Sequence, residues 1–197
     1  MSFRLKLASA FIRGRLMIKW LELVDGKVST TLSGLISDEN MTDPIMHRTM
    51  PRTPGEFRVA MARKHATLVR ILIERKGAEK GMALGRDALH SSGVELGKMI
   101  RSELRLSDGQ NDLMAAARLL YRILGIEFEM VEVGSDVRMI VNRCSLADGY
   151  GASTCAVMSA MDEGVVEGLN PRMSMRFIRK NDGSRCPCEA ELVWEGA

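Results

Sequence analysis

All four cysteines of the chain lie beyond residue 143, at Cys144, Cys155, Cys186 and Cys188. Thiolates are soft ligands, and four of them suit zinc or an iron–sulfur cluster. The spacing lacks the paired Cys-x-x-Cys groups of a zinc finger. Cys186 and Cys188 flank Pro187, and on a strand such a pair points to opposite faces. One of them at most then faces a shared site. A set of two or three cysteines with another ligand, or a reactive thiol, fits that geometry better than four thiolates. The competing reading is a group of buried thiols in a reducing cytosol, where cysteine is a small apolar residue. The candidate metal ligands are therefore Cys144, Cys155, Cys186 and Cys188, with zinc or iron–sulfur as the cofactor. Asp148, Asp162 and Glu163 flank this region and could orient a ligand or transfer a proton. Glu163 reads as a solvated helix residue. His47, His65 and His90 are all distant in sequence from the cysteines, so a Cys–His pair would have to form through the fold.

The elements that must position these residues follow from periodicity. Apolar residues at helical spacing over 3–24 predict a basic amphipathic helix, stopped by Asp25-Gly26. Residues 27–37 are β-branched and read as a short strand or extended arm. Pro44, Pro51, Pro54 and Gly55 mark a loop between an N-terminal appendage, 1–55, and a main domain, 56–197. That domain opens with helices over 57–76 and 78–104, separated at Gly77. Glycine recurs at 77, 81, 85, 93 and 97, a pattern that points to close helix packing or a ligand groove. A short helix ends at Gly125. Alternating residues over 127–133 and 137–143 predict a hairpin. A helix over 151–169 and a second hairpin, 172–180 with 186–194 around Asn181-Asp182-Gly183, complete the chain. The fold class is α+β: a helical N-terminal part packed on an antiparallel sheet of about four strands from two C-terminal hairpins.

Composition excludes several classes. The chain has 197 residues, 46% hydrophobic and 27% charged, with a net charge of +3. That is enough for a core and unlike a disordered chain. No run of about 18 apolar residues exists to span a membrane, and no secretory signal is visible, so a cytoplasmic location is expected. Fifteen methionines against nine aromatic residues suit an adaptable apolar pocket or reflect genome bias. Residues 1–76 carry 14 basic and 7 acidic groups, while residues 77–197 carry 14 and 18. The basic half lacks interleaved aromatics, and no nucleic-acid-binding signature appears.

The run Cys144-Ser-Leu-Ala-Asp-Gly-Tyr150, then Cys155, then Met161 to Pro171, then Asn181 to Cys188, resembles the L-2-amino-thiazoline-4-carboxylic acid hydrolase-like family over roughly residues 60–195. More distantly it resembles the 4-vinyl-reductase-type small-molecule-binding domain. The first resemblance implies hydrolytic opening of a small heterocycle or amide, with Cys155 and Asp162 as catalytic residues and Cys144 as a nucleophile or metal ligand. The second implies a binding domain with zinc held by late cysteines. In that family one Cys is followed by an aromatic residue, whereas here Cys-Pro-Cys precedes Glu189. Three functions are thus in view. One is a hydrolase-like enzyme of a small-molecule substrate. Another is a non-catalytic small-molecule-binding domain with a Met-lined pocket and a Cys-ligated metal. The last is an interaction subunit of a larger complex, with a protein partner or homodimer docking through residues 1–55.

Overall fold

The structure is a computed structural model and describes residues 12, 14–36, 51, 53–133, 136–179 and 188–194. The element order is α1 (Arg15–Ile36), α2 (Pro54–Lys76), α3 (Ala78–Leu104), α4 (Gln110–Leu124), β1 (Ile126–Val133), β2 (Asp136–Cys144), α5 (Ala147–Leu169), β3 (Met173–Arg179) and β4 (Cys188–Trp194). The class is α+β. Among the described residues five helices, mostly N-terminal, pack on one open antiparallel sheet of order β1-β2-β4-β3.

Helix α1 corrects the reading of the N-terminal third. Asp25-Gly26 does not stop it, and residues 27–36 are helix, not strand. Leu21, Val28, Leu32 and Ile36 are buried at helical spacing, so tertiary burial overrides the β-branched preference of this stretch. Thr31 also turns its hydroxyl back onto the Lys27 carbonyl at 2.9 Å, which suits a helical threonine. The expected helical residues before Arg15 lie mostly outside the described residues.

Helix α2 begins with a complete capping box. Thr53 Oγ1 accepts from the Glu56 amide, Glu56 accepts from the Thr53 amide, and Pro54 occupies the first turn. Gly77, at φ 84°, breaks the chain into α3. Helices α4 and α5 follow the expected ranges closely, although α5 is bent at Gly151, with φ 65° and ψ 173°.

The glycine stripe of α3 resolves as backbone packing. A Cβ on Gly93 would meet the Met161 carbonyl oxygen, and one on Gly97 would meet that of Val165. The contact is reciprocal. Gly164 and Gly168 of α5 lie equally close to the backbone of His90 and Val94. Helices α3 and α5 therefore cross at a distance that admits no side chain between them.

The sheet places one face on the helices. Strands β1 and β2 pair Ile126 with Cys144 through Val133 with Asp136, with a bulge between Glu127 and Phe128. Strand β4 lies between β2 and β3, pairing Val137 with Leu192 on one side and Met173 with Trp194 on the other. Met139, Val141, Met173, Met175 and Ala190 are buried inward. Arg138, paired with Glu189 at 2.7 Å, and Arg176, with Glu191 at 3.5 Å, belong to the alternate positions. The turn residues 134–135 and 181–184 lie outside the described residues.

Candidate functional site

Two adjoining cavities run through the core. The first, of about 100 Å³, lies between the sheet and helices α1, α2, α4 and α5. The second, of about 60 Å³, lies deeper among α1, α3, α4 and α5. Val24, Tyr121, Leu124, Met161 and Asp162 line both, so these residues form the waist between the two spaces. The walls are largely aliphatic, and Met61, Met158 and Met161 contribute to the first cavity. Flexible thioethers in such a wall can re-pack around guests of different shape.

The cysteines meet this cavity. Cys144 reaches it from the end of β2, Cys155 from α5 and Cys188 from the start of β4. None of the three is in a disulfide. They do not form the expected metal-binding cysteine cluster. Among the described residues, no three His, Cys, Asp or Glu side chains come close enough to hold a metal ion. Cys144 and Cys188 lie on the neighbouring strands β2 and β4, and Cys155 reaches the cavity from helix α5, an arrangement that spacing in sequence does not reveal. Cys186 lies outside the described residues. Burial pushes the Cys144 thiol up, against hydrogen bonds from the Leu146 and Ala147 amides. It is therefore a neutral thiol near pH 7, and a neutral thiol is a poor nucleophile.

Asp162 faces the waist. Burial, and then the charge of Glu163 beside it, raises its carboxyl to about 7. Glu163 itself is buried, not solvated as its sequence position suggested. Its Oε2 receives Arg86 Nη2 at 3.0 Å, and its Oε1 accepts from the Phe177 amide at 3.2 Å. Arg86 also donates to the Ala156 carbonyl at 2.5 Å and to Ser159 Oγ at 3.1 Å. This network joins α3, α5 and β3 and satisfies its own members, so it holds the wall and leaves Asp162 to the cavity.

A second buried network was not legible in the sequence. His65 is fully buried, with Nε2 3.0 Å from Asp25 Oδ1 and Nδ1 2.9 Å from the Tyr150 hydroxyl. Lys64 adds a 2.9 Å contact to Asp25 Oδ2. Burial raises the Asp25 carboxyl, but the hydrogen bonds from His65 and Lys64, with the charge of Lys64, outweigh it and leave the group below its usual value. Burial lowers His65 further than Asp25 raises it. A neutral His65 then donates from Nε2 to Asp25 and accepts at Nδ1 from Tyr150, because a carboxylate can only accept. Both ring nitrogens are committed, so His65 cannot act as the base for a cavity thiol. Its role is to tie α1 and α5 to α2. The one signal in the sequence was Asp25, placed instead as a helix stop.

Comparison with known proteins bears on what this arrangement is for. No family model matches the chain, and no curated protein matches it. The expected resemblance to the thiazoline-carboxylate hydrolase-like family, and to the 4-vinyl-reductase-type domain, is overturned by where the fold similarity lies. The hydrolase-like reading of the cysteine region goes with it. The fold is similar to that of a trafficking protein particle complex subunit 3 from Naegleria fowleri, whose crystal structure is covalently bound to palmitic acid. The TM-score is 0.52 at 12% identity, over 70% of this chain and 95% of that one.

Proposed function

We propose that the chain is an interaction subunit of a larger complex whose core holds an apolar ligand, such as a fatty acyl chain. The observation that carries this reading is the pair of adjoining apolar cavities, one between sheet and helices and one among the helices, in a fold similar to that of a trafficking-complex subunit bound to palmitic acid. A ligand there would serve as part of the core, since filling an apolar void restores lost packing contacts. Among the described residues no helix is long and apolar enough to cross a membrane. A subunit of this kind would meet its partners in the cytoplasm.

The reading has two parts, and one preparation tests both. The tagged full chain is purified under non-denaturing conditions from its source cells at its natural level, then measured by native and denaturing mass spectrometry. The expected result is association with other chains, and an added mass of an apolar molecule. A mass that survives denaturation and is released by hydroxylamine would assign a thioester. A single chain with no added mass, in every preparation, would contradict the proposal.

A further inference from the structure

We propose that the Asp162 carboxylate, together with the Tyr121 hydroxyl, makes the core cavity selective for an apolar ligand that carries a protonated amine. This deepens the ligand-binding reading above and rests on it.

Asp162 and Tyr121 are the polar residues that line both cavities. Burial and neighbouring charge act on the two groups, but among the described residues no hydrogen bond engages the Asp162 carboxyl or the Tyr121 hydroxyl. Asp162 is half-buried and opens onto the cavities it lines, so its hydrogen-bonding capacity is left for a guest. An apolar space with a carboxyl at its waist is not a plain void in the core. A wholly apolar guest would leave that carboxylate desolvated and unpaired, which is costly. A carboxylate guest would meet repulsion from Asp162 and from Glu163 behind it. An ammonium group instead donates charge-assisted hydrogen bonds to Asp162 and a further one to the Tyr121 oxygen. It can also lie against the Tyr121 ring, whose face attracts cations. The apolar remainder of the guest then occupies the spaces on either side of the waist. Apolar cavities of about 150 Å³ take benzene-sized guests, and the two adjoining spaces are of about 100 and 60 Å³, so short six-carbon probes are used.

The test uses the full chain with n-hexylamine, n-hexanol and hexanoate at about pH 8.5, above the Asp162 ionisation. An alkylamine stays protonated there, as lysine does. Affinities are read by calorimetry and by tryptophan fluorescence, since Trp20 lines the second cavity. Hexylamine is expected to bind at least about tenfold tighter than hexanol, with hexanoate weakest. Asp162→Asn should abolish that preference and leave hexanol affinity within about twofold. Tyr121→Phe keeps the carboxylate and should lower amine affinity severalfold without changing hexanol. Hexanol binding as tightly as hexylamine, or a preference that survives Asp162→Asn, would overturn the proposal while the cavity remained a ligand site. Tighter binding of hexanoate would overturn it in favour of an acid. Failure of all three probes to bind would remove the ligand site itself.

Discussion

Replacing Asp162 by Asn should stabilise the protein, by an amount that grows as pH rises from about 4 to about 7 and is constant above that. The carboxyl moves from 3.8 in an unfolded chain to about 7 in the folded one, first by burial and then by Glu163. Its folded form therefore holds a proton that the unfolded chain releases between those values. Stability falls as pH rises through that window, and the loss is complete above the folded value. The gap corresponds to about 4 kcal/mol at most. Asparagine has nearly the same shape and cannot ionise, so the loss disappears. Tyr121, Tyr150, His65, Cys144, Cys155 and Cys188 also line this space, and Glu163 lies beside Asp162 in its wall, so the difference between variant and wild type isolates Asp162. Denaturant unfolding of both proteins from pH 4 to 8.5 is the assay. At pH 8.5 the variant should be more stable by about 2–4 kcal/mol, or roughly 10 °C in Tm for a chain of this size. At pH 4 the two should agree within about 1 kcal/mol. A variant less stable than wild type at pH 8.5, or a difference that does not change with pH, would refute the reasoning.

Further substitutions test the packing and the networks. Gly93→Ala presses a methyl on the Met161 carbonyl and the Val165 amide, and Gly168→Ala on the Val94 carbonyl. Because backbone cannot give way, each should cost about 3 kcal/mol or prevent folding, as chemical denaturation would show, whereas Gly34→Ala, with open space around it, should be neutral or stabilising. Asp25→Ala leaves the His65 Nε2–H and Lys64 without their acceptor and should cost about 2–4 kcal/mol. In the wild type, His65 sits below its unfolded value of 6.5 because it is buried. It therefore contributes stability present above pH 6.5 and lost on acidification, a trend that Asp25→Ala should alter in the pH-dependence of Tm. Glu163→Gln breaks the pairing with Arg86 at 3.0 Å and should cost about 2–4 kcal/mol. It should also lower the Asp162 ionisation by removing the adjacent charge, measurable by carboxyl NMR titration.

Much of the fold was legible because its signals are local. Gly77 and Gly125 bound helices where expected, and alternation over 127–133 and 137–143 marks strands that form a hairpin. The α3 glycines announced close packing, although their partners, Gly164 and Gly168, are spread over a different helix and share no local signal with them. The failure at α1 has a tertiary cause. Asp25-Gly26 looks like a stop, yet Asp25 is held by His65 and Lys64 from α2, and burial of Val28 and Leu32 carries the helix onward. The cysteines were read as a cluster from their position late in the chain. They do reach one cavity, from β2, α5 and β4, but among the described residues no three potential ligands come close enough to hold an ion. The cavity itself is a property of three-dimensional packing. Its only trace in the sequence was the excess of methionine, which now lines it at positions 61, 158 and 161.

The claim that the core cavity is a ligand site is most directly tested by titrating the full chain with a fluorescent apolar probe that carries a primary amine, alongside a variant whose cavity is filled by Ser159→Leu or Met158→Phe and whose fold is checked by circular dichroism. Saturable binding at one site per chain, weakened at least about tenfold in a folded cavity-filled variant, is the expected result. Absence of saturable binding, or binding equal in the filled and unfilled proteins, would contradict it.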